Sequence, residues 1–235
     1  MAILTKADKG SPLTHNEMDN NLIELDKIPT GKTFPKTKGV GIKIDTAVPE
    51  FGWHDITGNL HNVNGALNSA DYVVYRGGIK AYQFAEGEES FVNFHLPHDY
   101  LPGSEIFIHV HWSHNSSLVT GGSCTWAFET MYAKGHNQAS FEAPVNISVI
   151  QNTSIVPYQH MIAETSASVS GGSPGVLLDT ELLEADGIIQ ARLYLDSNDI
   201  ITSNASIVNP FAHFVDIHYQ STGLPTKNKA PDFWT

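Results

Sequence analysis

Two histidines one residue apart, His109 and His111 in Ile-Phe-Ile-His-Val-His-Trp, are the sharpest chemical signal in the chain. On a strand, residues two apart point the same way, so both imidazoles could grip one metal ion. Asp216 and His218 repeat that spacing in Phe-Val-Asp-Ile-His-Tyr. If the two strands were neighbours, three imidazoles and a carboxylate would converge into a plausible zinc or iron set. Such spacing is common by chance, and it does not say which strands pair. The four residues are therefore expected to be amphipathic fillers on a packed or intersubunit face, and no cofactor is expected.

Other candidate chemistries are thinner. His95 and His98 flank Leu96-Pro97 ahead of Asp99-Tyr100-Leu101-Pro102-Gly103. No Gly-x-Ser-x-Gly elbow surrounds any serine, so these histidines are expected at a strand end and turn. Carboxylates cluster at Glu86, Glu88 and Glu89, at Asp179 and Glu181, and at Glu184 and Asp186. Glycosidase chemistry needs two of them within roughly 5–10 Å in a cleft, which spacing does not certify. Gly39-Val-Gly41 lacks the Gly-Lys-Ser/Thr of a phosphate loop. No enzymatic activity is expected. Loop aromatics flanked by Asn and Asp can stack on and hydrogen-bond sugars. Trp112 and Trp126 lie on alternating runs and read as core, which leaves Trp53 and Trp234 as the candidate glycan contacts.

Composition narrows the class. Charged residues are 16 % of the chain, against about a quarter in ordinary domains, and Asn, Ser, Thr, Gly and His make up the difference. Asp plus Glu number 25 and Lys plus Arg 13, a formal charge of −12. That charge repels phosphate backbones and argues against a nucleic-acid partner. Cys124 is the single cysteine, which excludes an intrachain disulfide and a Cys-rich zinc site; among Thr125, Trp126 and Phe128 it reads as a buried thiol. No stretch approaches the roughly 20 apolar residues of a membrane helix, and the N-terminus lacks a signal-peptide core. Membrane insertion is not expected, and synthesis in a cytoplasm is.

The elements that would position these residues are mostly strands. Ile106, Ile108, Val110 and Trp112 alternate with Phe107, His109 and His111. Trp126 and Phe128 alternate with Thr125, Ala127 and Glu129, and Val145, Ile147 and Val149 with Asn146 and Ser148. Ile189, Ala191, Leu193 and Leu195 alternate with Gln190, Arg192 and Tyr194, and Phe214, Asp216 and His218 oppose Val215, Ile217 and Tyr219. Pro102-Gly103, Gly121-Gly122 and Gly171-Gly172-Ser173-Pro174-Gly175 read as turns and loops between them. Many short strands argue an all-β, jelly-roll-like β-sandwich over residues 42–235.

Ahead of it, Thr14-His15-Asn16-Glu17 has the form of a capping box, and Met18, Leu22 and Leu25 form one apolar stripe on a short helix ended by Pro29 and Gly31. A stripe this narrow on about three turns is not stable alone and needs a partner. The stripe must pack on the body, on sister copies or on another protein, and residues 1–41 are expected to form a helix and linker arm, with Leu13, Thr14, Glu17, Met18, Leu22 and Leu25 as the candidate attachment and oligomerisation residues.

The stretch Lys9-Gly10-Ser11-Pro12-Leu13-Thr14-His15-Asn16-Glu17-Met18-Asp19-Asn20-Asn21-Leu22 resembles the Lys-Gly-x-Pro-Leu-Thr-x-x-Glu-x-Asp-x-Asn-Phe/Leu segment at the start of many tailed-phage tail-fibre and appendage proteins. In the body, Leu96-Pro97-His98-Asp99-Tyr100-Leu101-Pro102-Gly103, His109-Val110-His111-Trp112 and Val215-Asp216-Ile217-His218-Tyr219-Gln220 are similar to phage structural proteins of unassigned role. The resemblance implies a virion component, in a tail or collar rather than on the capsid surface, docked by its N-terminal segment to other virion proteins. Closed symmetry is the default for such repeated parts, and a homotrimer is expected. The absence of a collagen-like or triple-β-helix shaft favours a compact knob or collar piece over a long fibre. The alternatives are a receptor-binding module for host surface glycans, a capsid decoration protein and, behind both, a metal-dependent or polysaccharide-degrading enzyme.

Overall fold

A computed structural model describes residues 51–62, 68–165, 178 and 182–234 of the chain. The helix and arm expected over residues 1–41 lie outside the described residues, as does the Gly171–Gly175 loop. Gly52–Thr235 forms one unit. Its strands in chain order are β1 (Gly52–Gly58), β2 (Asp71–Arg76), β3 (Ile79–Gln83), β4 (Glu89–His95), β5 (Ile106–Ser113), β6 (Val119–Ala133), β7 (Val145–Asn152), β8 (Met161–Glu164), β9 (Ile188–Thr202) and β10 (Phe211–Ser221).

They make two antiparallel sheets, a jelly-roll-like β-sandwich. The larger runs β2-β3-β10-β5-β8 with β1 also on β10, and the smaller runs β4-β9-β6-β7. No helix among the described residues is long and apolar enough to cross a membrane.

Period-two alternation decides which side chains enter the space between the sheets. Ile106, Ile108, Val110 and Trp112 of β5 and Val215 and Ile217 of β10 are fully buried on one side. Trp126 and Phe128 of β6 and Ile189, Leu193 and Leu195 of β9 meet them from the other. Trp112 and Trp126 face each other across the gap in an edge-to-face pair with centroids 5.9 Å apart, and Phe84 adds a second such contact to Trp126 at 5.3 Å. Both tryptophans are core. Cys124 is buried as well, and burial pushes its thiol up to about 12. The β7 run is only partly inward: Ile147 is buried, whereas Val145 is exposed at the sheet edge.

One turn assignment needs correction. Gly121-Gly122 sits inside the 15-residue strand β6, where the register against β9 shifts between Val119 and Gly121. Gly122 has φ +93°, and a Cβ there would fall 2.1 Å from the Asp199 carbonyl oxygen of β9. The glycines thus permit a bulge with close backbone approach rather than a chain reversal.

The Leu96–Gly103 segment has a structural job. Tyr100 is fully buried and donates its hydroxyl to the Ser104 carbonyl at 2.7 Å. Asp99 accepts hydrogen bonds from Tyr219 at 3.1 Å and Ser221 at 2.5 Å, and Leu101 N–H donates to the Gln220 carbonyl. The segment clamps the end of β10.

The two-tryptophan contact makes a direct test of the core. Trp126→Ala is expected to cost about 3–5 kcal/mol in chemical denaturation. Ile150→Ala, on the exposed face of β7, should stay within about 0.5 kcal/mol of the parent.

Candidate functional site

The outward faces of the two sheets carry the polar chemistry. On the larger sheet β5 pairs with β10 in antiparallel register, setting His111 opposite Phe214, His109 opposite Asp216 and Phe107 opposite His218. β8 flanks the other edge of β5, with Glu164 opposite His109, and β1 flanks β10, with Asp55 opposite His218. Side chains directly opposite in adjacent strands are in contact range, so the strand pairing gathers His109, His111, Asp216 and His218 with Glu164 and Asp55.

The contacts are close. Asp216 Oδ1 lies 3.0 Å from His111 Nε2 and 3.2 Å from His109 Nδ1. Glu164 Oε2 is 2.5 Å from His109 Nε2 and 3.9 Å from His218 Nδ1, and His218 Nε2 is 2.7 Å from Asp55 Oδ1. His111 Nδ1 faces His160 Nε2 at 2.8 Å, and the Phe214 ring stacks on His111 at 4.1 Å. Asp216 is 4 % exposed. Burial pushes its carboxyl pKa upward, but the adjoining His109 and His111 imidazoles outweigh that and hold it well below the usual carboxylate range. His160 is lowered by burial and by His111, against the pull of Asp216.

Trp53, on β1, is half-exposed and meets Phe107 edge-on at 5.4 Å. It therefore belongs to the same sheet face as the histidines. Trp234 is exposed in the C-terminal segment, and among the described residues no ring contact joins it to Trp53.

The smaller sheet carries an open groove of about 400 Å³. Its floor is made by outward residues of three adjacent strands: Asn93 and Phe91 of β4, Gln190 and Arg192 of β9, and Glu129 and Met131 of β6. His61 and Pro144 stand at its margins. Arg192 is held in place: its Nη1 is 2.9 Å from Glu89, its Nε is 2.9 Å from Glu129, and its guanidinium lies 4.7 Å over the Tyr194 ring. Gln190, Arg192 and Glu129 stood out as the polar half of alternating runs. Their convergence with Asn93 and His61 required the β4-β9-β6 order, which alternation does not encode.

Of the remaining candidates, Asp179 and Glu181 lie outside the described residues, and Glu86 accepts from Asn198 N–H. Glu88 accepts from Ala85 N–H, Glu89 is ion-paired with Arg192, and Glu184 lies 3.5 Å from Lys134. His95 ends β4, and His98 sits in the following turn. Together with His136 they surround Asp186, at 3.3, 2.9 and 2.8 Å respectively. Phe233 packs edge-on against both His98 and His136, so this cluster fastens the C-terminal segment.

No family model and no curated protein matches the chain. Among solved structures it is similar to a xylan-binding module, CBM15, with TM-score 0.35 and 8 % identity over 72 % of this chain and 97 % of that one. It is also similar to the C-terminal family 22 carbohydrate-binding module of Clostridium thermocellum Xyn10B, with TM-score 0.24 and 10 % identity over 68 % of this chain and 91 % of that one. Likenesses this distant carry no argument about a ligand.

The Asp186 cluster sets an acid limit. The hydrogen bond from His136, opposed by burial and helped by the charges of His98 and His95, holds the Asp186 carboxyl below its usual value. A depressed carboxylate contributes stability above its unfolded pKa of about 4 and loses it as pH falls through the folded value. Asp186→Asn should therefore flatten the acid side of the stability profile, read as denaturant midpoints measured from about pH 5 down to pH 3.

Proposed function

We propose that this chain is a non-catalytic binding module that holds a neutral glycan across the outer face of its smaller sheet. The observation that carries this reading is the groove floored by Asn93, Gln190, Arg192 and Glu129. Planar amide, guanidinium and carboxylate groups on one face match the paired donors and acceptors of sugar hydroxyls, and Phe91 and Met131 supply apolar surface beside them. The volume lies within the range of about 300–1,000 Å³ typical of small-ligand sites.

Two features narrow the ligand. Arg192 stands between two carboxylates, Glu89 and Glu129, so the three groups carry a net negative charge. The whole chain is at −12. Sulfated or uronic acid polymers would be repelled, and neutral ones would not. Arg192 is also ordered before any ligand arrives, which lowers the entropic cost of binding.

A particle role fits the same module. Residues 1–41 combine the resemblance to tailed-phage attachment segments with an apolar stripe, Met18, Leu22 and Leu25, that calls for a partner surface. In this reading the sandwich is the host-facing part of a trimeric tail or collar appendage, and the N-terminal segment docks it. A purely structural knob or capsid decoration protein would share the docking segment but not the groove.

Binding is tested by affinity electrophoresis and a glycan array. The parent should be retarded by neutral polysaccharide. Gln190→Ala and Asn93→Ala should each weaken that binding about tenfold, the effect of losing one or two hydrogen bonds, with thermal unfolding unchanged. An array without hits, or variants that bind like the parent, would remove the glycan reading. Docking is tested separately. A chain lacking residues 1–41 should fold but fail to join particles on complementation, and normal incorporation would refute the attachment role.

A further inference from the structure

We propose that His109, His218 and Glu164 form a binding site for one zinc-class divalent cation on the outer face of the larger sheet, independent of the glycan groove. The ligand atoms would be His109 Nε2, His218 Nδ1 and Glu164 Oε2. One candidate ligand atom from each residue lies within 4.8 Å of the others. Tetrahedral zinc at bonds of about 2.0–2.2 Å separates its ligands by about 3.3 Å. Glu164 and His218 are partly exposed, at 49 % and 35 % of their side-chain surface, and have the freedom to close on an ion. Two imidazoles and one carboxylate leave a coordination position for water.

His109 points to the ion most directly. It is 1 % exposed, and both ring nitrogens face carboxylates, Nδ1 toward Asp216 Oδ1 at 3.2 Å and Nε2 toward Glu164 Oε2 at 2.5 Å. In the tautomer whose proton sits on Nδ1, facing Asp216, the Nε2 lone pair is free to coordinate an ion shared with Glu164 Oε2. A cation bound by both would take the place of the proton that otherwise joins Nε2 to Oε2.

The surroundings follow the pattern that orients metal-bound histidines, in which the nitrogen away from the metal faces a carboxylate. Asp216 Oδ1 lies 3.2 Å from His109 Nδ1, and Asp55 Oδ1 lies 2.7 Å from His218 Nε2. Asp216 also meets His111, which faces His160. His111 and Asp216 are thus positioning residues rather than ligands, and Glu164 joins the set from β8. The three carboxylates Asp55, Asp216 and Glu164 crowd a face whose central residues are buried, and a doubly charged ion would offset them. It would also tie together β1, β5, β8 and β10.

Untagged full-length chain, freed of metal by chelation, is titrated with zinc chloride by calorimetry and followed by thermal unfolding. One ion per chain should bind saturably. At a hundredfold excess over Kd the unfolding midpoint should rise by about 5–10 °C. Glu164→Gln and His218→Ala, both at partly exposed positions, should fold without metal and lose affinity by at least about tenfold. Asp55→Asn, behind His218, should weaken binding about 10–100-fold. His136→Ala, in the separate Asp186 cluster, serves as the control and should bind zinc as the parent does. Absence of saturable binding overturns the proposal. So does a stoichiometric ion whose affinity is unchanged in both Glu164→Gln and His218→Ala.

Discussion

The antiparallel register of β5 against β10 is the constraint from which most of the molecule follows. Ile108 opposite Ile217 and Val110 opposite Val215 place one set of alternate residues in the core. The same register necessarily puts His109 opposite Asp216 on the other face. A slip of one residue would send the aliphatic set to solvent and the imidazoles into the gap between sheets. The core and the polar cluster are therefore two consequences of one pairing. The clamp of Leu96–Gly103 on the end of β10 through Asp99, Tyr219 and Ser221 holds that pairing in place.

The two outward faces manage charge differently. On the smaller sheet Arg192 sits between Glu89 and Glu129 at the surface, where each ion pair contributes little stability but fixes a side chain in the groove. On the larger sheet Asp216 is nearly sealed and is kept ionised by two histidines. A buried carboxylate carries a desolvation cost that only close partners offset. His109 and His111 are those partners, at 3.2 and 3.0 Å. This arrangement gives the larger sheet a rigid polar centre, with Trp53 and Phe107 beside it.

The same division of labour explains the glycines and loops. Gly122 lets β6 bulge against β9 without leaving the sheet, so β6 stays long enough to contribute both Trp126 to the core and Glu129 to the groove. The Asp186 cluster collects three histidines from two loops and a strand end and closes the C-terminal segment over them through Phe233. Histidines that look alike along the chain thus serve separate ends: some support a buried carboxylate, others pin a terminus.

The sequence by itself determined the β class, the inward and outward members of β5, β6, β9 and β10, and the core places of Trp112, Trp126 and Cys124. Each of these depends only on a period of two and on the burial of large apolar groups, both local properties. It also singled out His109, His111, Asp216 and His218. What it did not carry was strand order: Glu164, Asp55 and His160 lie far from those residues in the chain, and Asn93 reaches Gln190 only because β4 pairs with β9. Gly121-Gly122 went astray as a turn for a related reason, since a glycine pair that permits a bulge and one that reverses the chain look identical until the partner strand is known. Only the tertiary structure decided which faces meet, because pairing between distant strands is set by the packing of the whole sandwich and not by any one segment of it.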